Sequence, residues 1–287
     1  MTLVVARKFP NSIQIVSDTK LSFDDHRRTK HIEQDSLLKC IALSPTCCVA
    51  FASDSQIAMQ AISPLLTSNS LRRFDVRAHL HERCRIRKRR ADFILATSTD
   101  RGSIDLIRDG QIYGDQENAW IGEQGAFEEY QSRYLAKDAY RRDPGTEKDQ
   151  AAKMKDALQS VVDGGAVPSV GGYTISTISP LSPIAGRGFR YISNSFGSGF
   201  QPVSNTTQPT SMMRTVGVAG GSFNYTILVP EAPGVGAVGI YILEIQLGAL
   251  YFPARSWLPI VYRNKSCQEF IESVRRENDL VINGIQI

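Results

Sequence analysis

Between Asp35 and Asp54 the chain carries a single charge. Lys39 stands alone in SLLKCIALSPTCCVAFAS, which otherwise reads as two apolar strands around a Ser44-Pro45-Thr46 turn. A lysine in a buried strand is costly unless an acidic or polar partner meets it. The fold must therefore bring a group to Lys39 that neutralises its amine or uses it.

The N-terminal segment offers such a group. LVVAR and IQIVS are rich in β-branched residues and flank the turn cluster Phe9-Pro10-Asn11-Ser12, which predicts a hairpin. Pairing Lys8 with Ile13 makes paired positions sum to 21. Thr2 then faces Thr19, and Asp18 lies one step diagonal, within side-chain reach. Removal of Met1 would leave Thr2 with a hydroxyl and a free α-amine, a nucleophile–base combination. Taken singly, each residue has a plain structural account. Thr2 is an ordinary second residue, Asp18 a strand-end turn residue, and Lys39 a side chain that snorkels from an edge strand. Taken together, at this spacing, they favour a site.

The rest of the chain reads as alternating pairs of strands and helices. Ser22 to Asp35 is a polar loop. SDSQIAMQAISPLL starts a helix with Ser53 or Ser55 as N-cap, and residues 71–86 form a second. ADFILATS is a strand, and IDLIR and QIYG form a hairpin around Asp109-Gly110. AWIG is a short strand and Gln124 to Lys137 a helix. Thr146 to Val162 is a helix with an apolar stripe, a Thr146/Asp149 capping box and Gly164 as its stop. GYTISTIS and FRYIS are strands. Two sheets, each covered by a helix pair, satisfy that order. Asn194 to Ser222 lacks periodicity and reads as a long loop. FNYTILVP and IYILEIQLGALYF make a last β unit, and SCQEFIESVRREND a terminal helix.

Composition narrows the classes. In 287 residues, 42% hydrophobic and 22% charged content supports a packed core, and a net charge of +4 does not by itself imply a polyanion partner. The N-terminus lacks the pattern of a signal peptide. GVGAVGIYILEIQLGALYF is interrupted by Glu244 and Gln246 and reads as strands, which argues against a membrane span. Five cysteines without paired spacing fit a reducing compartment, with the cytoplasm as the expected location. Gly234-x-Gly236-x-x-Gly239 matches a dinucleotide fingerprint but leads into a strand-like run where a helix is needed, so it reads as a turn. His79, His81 and Cys84 have no second ligand pair and read as surface residues, while Cys47 and Cys48 read as core. No metal site and no cofactor is expected. Leu71 to Arg90 holds nine Lys/Arg against two acidic residues. It is either a solvated helix face or a contact for an acidic partner. Without interleaved aromatic residues it argues against nucleic acid.

Thr2, Asp18 and Lys39 resemble the active-site set of the proteasome-type N-terminal-nucleophile (Ntn) hydrolases, which include core proteasome β subunits and related bacterial ATP-dependent peptidases. The sixteen-residue spacing of Thr2 and Asp18 matches that family, and so does the apolar hairpin after Lys39 leading into a helix. AWIGEQGAFEEY and PSVGGYTIS are similar to further family segments. The resemblance implies an α+β fold, a four-layer αββα sandwich over residues 1–193, with residues 194–287 as a C-terminal β-rich extension. It implies a threonine peptidase acting on peptide or unfolded protein with Thr2 as nucleophile, Asp18 and Lys39 beside it, and the Ser53 backbone N–H as oxyanion donor. It also implies self-assembly into a ring or related homo-oligomer. The chain departs from the family pattern in three places. Ser53-Asp54 replaces a glycine pair, Glu123 replaces a serine that supports the terminal amine, and Ala166 replaces an aspartate, although Ser169 is present. These departures keep two alternatives open: an inactive structural subunit of the same fold, and an Ntn amidase for a small molecule.

Overall fold

The computed structural model describes residues 2–20, 36–68, 70–84, 91–99, 101–136, 146–165, 167–181, 188–192, 214–218, 221–243 and 245–283. Within these the chain is mixed α+β, with five helices and three antiparallel sheets.

The N-terminal hairpin is β1 (Leu3–Lys8) and β2 (Ser12–Ser17), and Lys8 pairs with Ile13 as expected. The second hairpin is β3 (Cys40–Ser44) and β4 (Cys47–Ser53), followed by α1 (Ser55–Leu66) and α2 (Arg73–Cys84). Next come β5 (Ala91–Thr97), β6 (Ser103–Arg108), β7 (Gln111–Tyr113) and β8 (Asn118–Gly122). Helices α3 (Gln124–Ala136) and α4 (Glu147–Gly164) precede β9 (Ile175–Pro180) and β10 (Arg190–Tyr191). The last part holds β11 (Arg214–Val218), β12 (Gly221–Pro230), β13 (Val238–Ile242), β14 (Leu247–Phe252), β15 (Ser256–Arg263), α5 (Cys267–Asn278) and β16 (Ile282–Asn283).

The first sheet runs β10-β9-β2-β1-β8 and the second β3-β4-β5-β6-β7. Alternation along β1 and β2 assigns their two faces. Leu3, Val5 and Val16 pack with Ala126 and Tyr130 of α3 and Met154, Leu158 and Val161 of α4. Val4, Ala6, Ile13 and Ile15 point the other way, into a core shared with β3, β4 and β5. Ala58, Ala61 and Ile62 of α1 and Val76 and Leu80 of α2 join that core.

The third sheet, β11-β12-β13-β14-β15 with β16 beside β12, is two-sided. Tyr225, Ile227, Val229, Ile240 and Ala249 enter the shared core, while Leu228, Tyr241 and Leu250 pack under Phe270 and Val274 of α5. It docks beside the edges of the other two sheets. The Tyr191 hydroxyl on β10 donates to the Cys40 carbonyl at 2.8 Å and accepts from the Ala42 N–H at 3.2 Å, so β10 and β3 are bridged. The turn before β13 closes over them, with the Gly234 N–H donating to the Phe189 carbonyl at 2.7 Å. Further ties are the Ser36–Tyr251 hydroxyl pair at 2.6 Å, the Trp257 indole N–H to Ser63 Oγ at 3.0 Å, and Trp257 edge-on to Phe51. Unpaired strand edges recruit other strands, and the added sheet covers this pair of edges.

Several expectations need correction. Asp54 caps α1, in place of Ser53 or Ser55: its carboxylate accepts from the Gln56 and Ile57 N–H groups, each at 3.0 Å. Aspartate caps as well as serine does, and Ser53 is committed to the end of β4. Asp54→Ala should cost about 1 kcal/mol, read as a lower urea midpoint at unchanged m value. Helix α4 keeps its Thr146/Asp149 capping box, but it runs through Gly164 and stops at Gly165, which takes the left-handed conformation. The long loop expected over Asn194–Ser222 contains β11 and the start of β12; residues 194–213 lie outside the described residues, as does the 22–35 loop. Strand β15 lacked a sequence expectation. Cys84 is buried rather than on the surface. The glycine-rich 234–239 run is a turn leading into β13, as expected. Among the described residues no helix is long and apolar enough to cross a membrane.

Candidate active site

The hairpin register carries Thr2 and Asp18 to the same end of β1 and β2. The Asp18 N–H donates to the Leu3 carbonyl at 3.3 Å, and the Leu3 N–H donates to Asp18 Oδ1 at 3.0 Å. Lys39 arrives just before β3. The Phe51 N–H of β4 holds its carbonyl at 3.0 Å, which fixes where its side chain leaves the strand.

The three side chains meet. The Thr2 hydroxyl donates to Asp18 Oδ1, and Lys39 Nζ donates to Thr2 Oγ1. Lys39 Nζ also lies 3.0 Å from Asp18 Oδ1 and 3.1 Å from Oδ2, and it donates to the Lys20 carbonyl. All three are buried: Thr2 is 3% exposed, Asp18 0% and Lys39 3%. The Gly171 N–H completes the carboxylate's shell at 3.2 Å to Oδ2. The lone charge of the apolar hairpin thus has its partner. Burial pushes the Lys39 ammonium below its ordinary range. Asp18 opposes that shift by charge and hydrogen bond, and Lys20 adds to it.

The supporting residues form a second group. Ser169 Oγ donates to Glu123 Oε2, so the two residues brought forward on either side of α4 do meet. Glu123 is tied to Thr2 through the backbone, its N–H donating to the Thr2 carbonyl at 2.9 Å. Gly122 makes this approach possible. Its φ is +114°, and a Cβ there would stand 1.8 Å from the Thr2 carbonyl oxygen. Ser53 ends β4 with φ at +75°, one residue before the α1 cap. Among the described residues no hydrogen bond links it to Thr2. Met1 and Ala166 lie outside the described residues.

Sequence reasoning missed the backbone partners of the site. The Leu3 and Gly171 N–H groups and the Lys20 carbonyl carry no side-chain signature. The nearest signal was the Gly171-Gly172 pair within PSVGGYTIS, where the chain must pass close to the Lys20 side chain and Thr19 Oγ1. Among the described residues, 71–84 of the basic segment make no hydrogen bond or ion pair to Thr2, Asp18 or Lys39. Arg73 is held by Asp105 and Asp115 and Arg72 by Asp75, and residues 85–90 lie outside the described residues. Among the described residues no cluster of His, Cys, Asp and Glu has the makings of a metal site.

No protein-family model and no curated protein matches the chain. Among 555 matching solved chains is a Thiobacillus denitrificans BPH in complex with epoxomicin. It is 16% identical with a TM-score of 0.47, over 64% of this chain and 100% of that one. The likeness is loose, and the site is read from this chain's own geometry.

Proposed function

We propose that the chain is a proteasome-like threonine peptidase whose nucleophile, Thr2, is exposed by removal of Met1. The observation that carries this reading is the placement of Thr2 Oγ1 between the Asp18 carboxylate and the Lys39 ammonium, all three buried at one strand end. A purely structural threonine does not need a costly buried ion pair against its hydroxyl.

In this proposal Thr2 Oγ attacks the substrate carbonyl and passes its proton to the Thr2 α-amine, directly or through water. The C–N bond then breaks, the leaving amine takes that proton, and water hydrolyses the acyl-enzyme ester to free Thr2. An α-amine titrates near about 7.7–8.0, and Lys39 beside it favours the neutral, proton-accepting form. Asp18 holds Lys39 in place. The Ser53 N–H, next to the start of α1, is the proposed oxyanion donor. The same proposal takes residues 1–193 as a four-layer αββα hydrolase unit, residues 194–287 as an extension docked on it, and the active form as a homo-oligomer.

Intact mass with and without an excess of a peptide epoxyketone tests the reading. Loss of Met1 and a single adduct are expected, and Thr2→Ala should abolish the adduct while keeping the melting temperature. Retained Met1, or an exposed Thr2 that never reacts, would overturn the reading and leave an inactive subunit of this fold. Turnover of small amides but of no peptide would leave the nucleophile standing and move the substrate to a small molecule.

A further inference from the structure

Lys39 Nζ donates to the Lys20 carbonyl, and one short segment holds both ends of that bond. Ser36 forms an antiparallel bridge with Lys20, and the Leu37 N–H donates to the Thr19 carbonyl at 2.8 Å. The same segment runs on directly to Lys39. Ser36 is buried, and its Oγ lies 2.6 Å from the Tyr251 hydroxyl on β14. Tyr251 is buried too, with its ring in the core that the sheets share. A buried hydroxyl pair at this distance is costly to separate.

The other side of Thr19 and Lys20 is held by residues 171–173. The Thr19 and Lys20 N–H groups both donate to the Gly171 carbonyl, at 3.3 and 3.1 Å, and the Tyr173 N–H donates to Thr19 Oγ1 at 2.8 Å. Here again the third sheet arrives with a tyrosine. The Tyr225 ring of β12 stands edge-on to Tyr173, with centroids 4.9 Å apart. The strand end that offers its carbonyl to Lys39 is thus clamped from two sides, and each clamp is backed by the third sheet.

Resting on the nucleophile proposed above, we infer that Tyr251 is a positioning residue for Lys39: through Ser36, its hydroxyl holds the Lys20 carbonyl where the Lys39 ammonium meets it, and so sets the direction from which Lys39 meets Thr2 Oγ1. The third sheet lies outside the segments that carry the resemblance, yet it completes the site as well as covering strand edges. Lys39 Nζ has its acceptors in Thr2 Oγ1, the Asp18 carboxylate and the Lys20 carbonyl, and an ammonium has three N–H groups to give them. Asp18 is fixed from within the first sheet by the Leu3 N–H. The Lys20 carbonyl is fixed by the bridge to Ser36, and Ser36 by Tyr251. An ammonium whose third acceptor drifts swings towards the other two and leaves the line it holds to Thr2 Oγ1. Reaction at that oxygen is sensitive to displacements of this kind.

Tyr251→Phe keeps the ring in the core and removes the hydroxyl. Two readouts are taken well below the melting temperature: the titration of Lys39, by NMR of its Nζ and Cε in the isotope-labelled full chain, and the rate of epoxyketone adduct formation, by mass. A hydrogen bond to the charged form is loosened, so the Lys39 titration should move to lower pH. Adduct formation should slow about tenfold or more, the scale of a small misplacement beside a reacting atom. Among the described residues Asp18 and Lys20 are the charged groups that act on Lys39, and the substitution touches neither. Ser36→Ala removes the same bond from its other end. It should reproduce both effects, and the double variant should go no further than either single one. An unmoved Lys39 titration with only a lower melting temperature would overturn the inference and leave the third sheet as a cover for strand edges. A moved titration with an unslowed adduct would overturn it too. If Tyr251→Phe fails to fold, Ser36→Ala is read in its place. The Lys39 titration needs neither loss of Met1 nor any reaction. A titration that moves in a chain whose Thr2 never reacts would support Tyr251 and sink the nucleophile, and a reactive Thr2 beside an unmoved Lys39 would do the reverse.

Discussion

Asp18→Ala should lose about 3–5 kcal/mol of folding stability at neutral pH, because it strands Lys39 in the core without its anion. The size follows from burial on both sides of the pair, with Asp18 0% and Lys39 3% exposed. The loss should also be pH-dependent. Lys39 already has a lowered pKa in the folded chain, from burial first of all, and without Asp18 it falls further. The unfolded lysine keeps its ordinary value near about 10.4. Between the folded and unfolded values the unfolded chain binds more protons, so stability rises with pH across that window. It is complete above the unfolded value and is lost as pH falls through the folded one. Urea midpoints at pH 7 and pH 9.5 should therefore show a smaller deficit at the higher pH. An equal deficit at both would mean that Lys39 is hydrated in the variant.

A comparable loss is expected far from the site. Asp105 on β6 is 0% exposed, and Arg73 on α2 meets both its oxygens, with Nε 2.8 Å from Oδ2. The Asp115 N–H adds a weaker bond at 3.2 Å. The Arg73 guanidinium is pushed up by its hydrogen bond to Asp105. Arg73→Met leaves a buried carboxylate without its cation, and about 3–5 kcal/mol should go. Its neighbour Arg72 pairs with Asp75 in the open, both side chains more than half exposed, and Arg72→Ala should cost no more than about 1 kcal/mol. Thermal melts of the two variants side by side separate the buried pair from the surface one. Similar melting temperatures would contradict the assignment.

The hairpin and the meeting of Thr2 with Asp18 were legible because two independent signals agreed. A period of 2 on either side of a four-residue turn fixes one register, and Lys8 against Ile13 carries Thr2 to Asp18 without further assumption. Lys39 was legible because a charge alone in an apolar run demands a partner. Helix α4 was legible from its stripe and its box. What could not be read was made by backbone groups or by distant segments. The Leu3 and Gly171 donors on Asp18 are main chain and have no residue type to reveal them. Ser53, Asp54 and Ser55 all cap well, and only the fact that Ser53 finishes β4 decides among them. Strand β15 mixes Trp257, Pro259 and Ile260 at partial burial along a sheet edge, where neither alternation nor a continuous apolar run develops. Docking of the third sheet rests on pairs such as Ser36 with Tyr251, 215 residues apart, which no local pattern announces.

The separations within the site bear on the order in which the chain can acquire it. Thr2 reaches Asp18 across 16 residues and Lys39 across 37, while the Gly171 N–H that completes the Asp18 shell comes from 153 residues away. Contacts of short range close early, and those that must close a long loop come late. A ribosome-bound chain that has released only its first two hairpins holds Thr2, Asp18 and Lys39 but lacks Gly122, Glu123, Ser169 and Gly171. The cluster is thus completed only when β8 and the segment before β9 have joined β1 and β2. With Thr2 as the proposed nucleophile, any reactivity it has would report that the first sheet is finished, and a half-made chain would carry it unarmed.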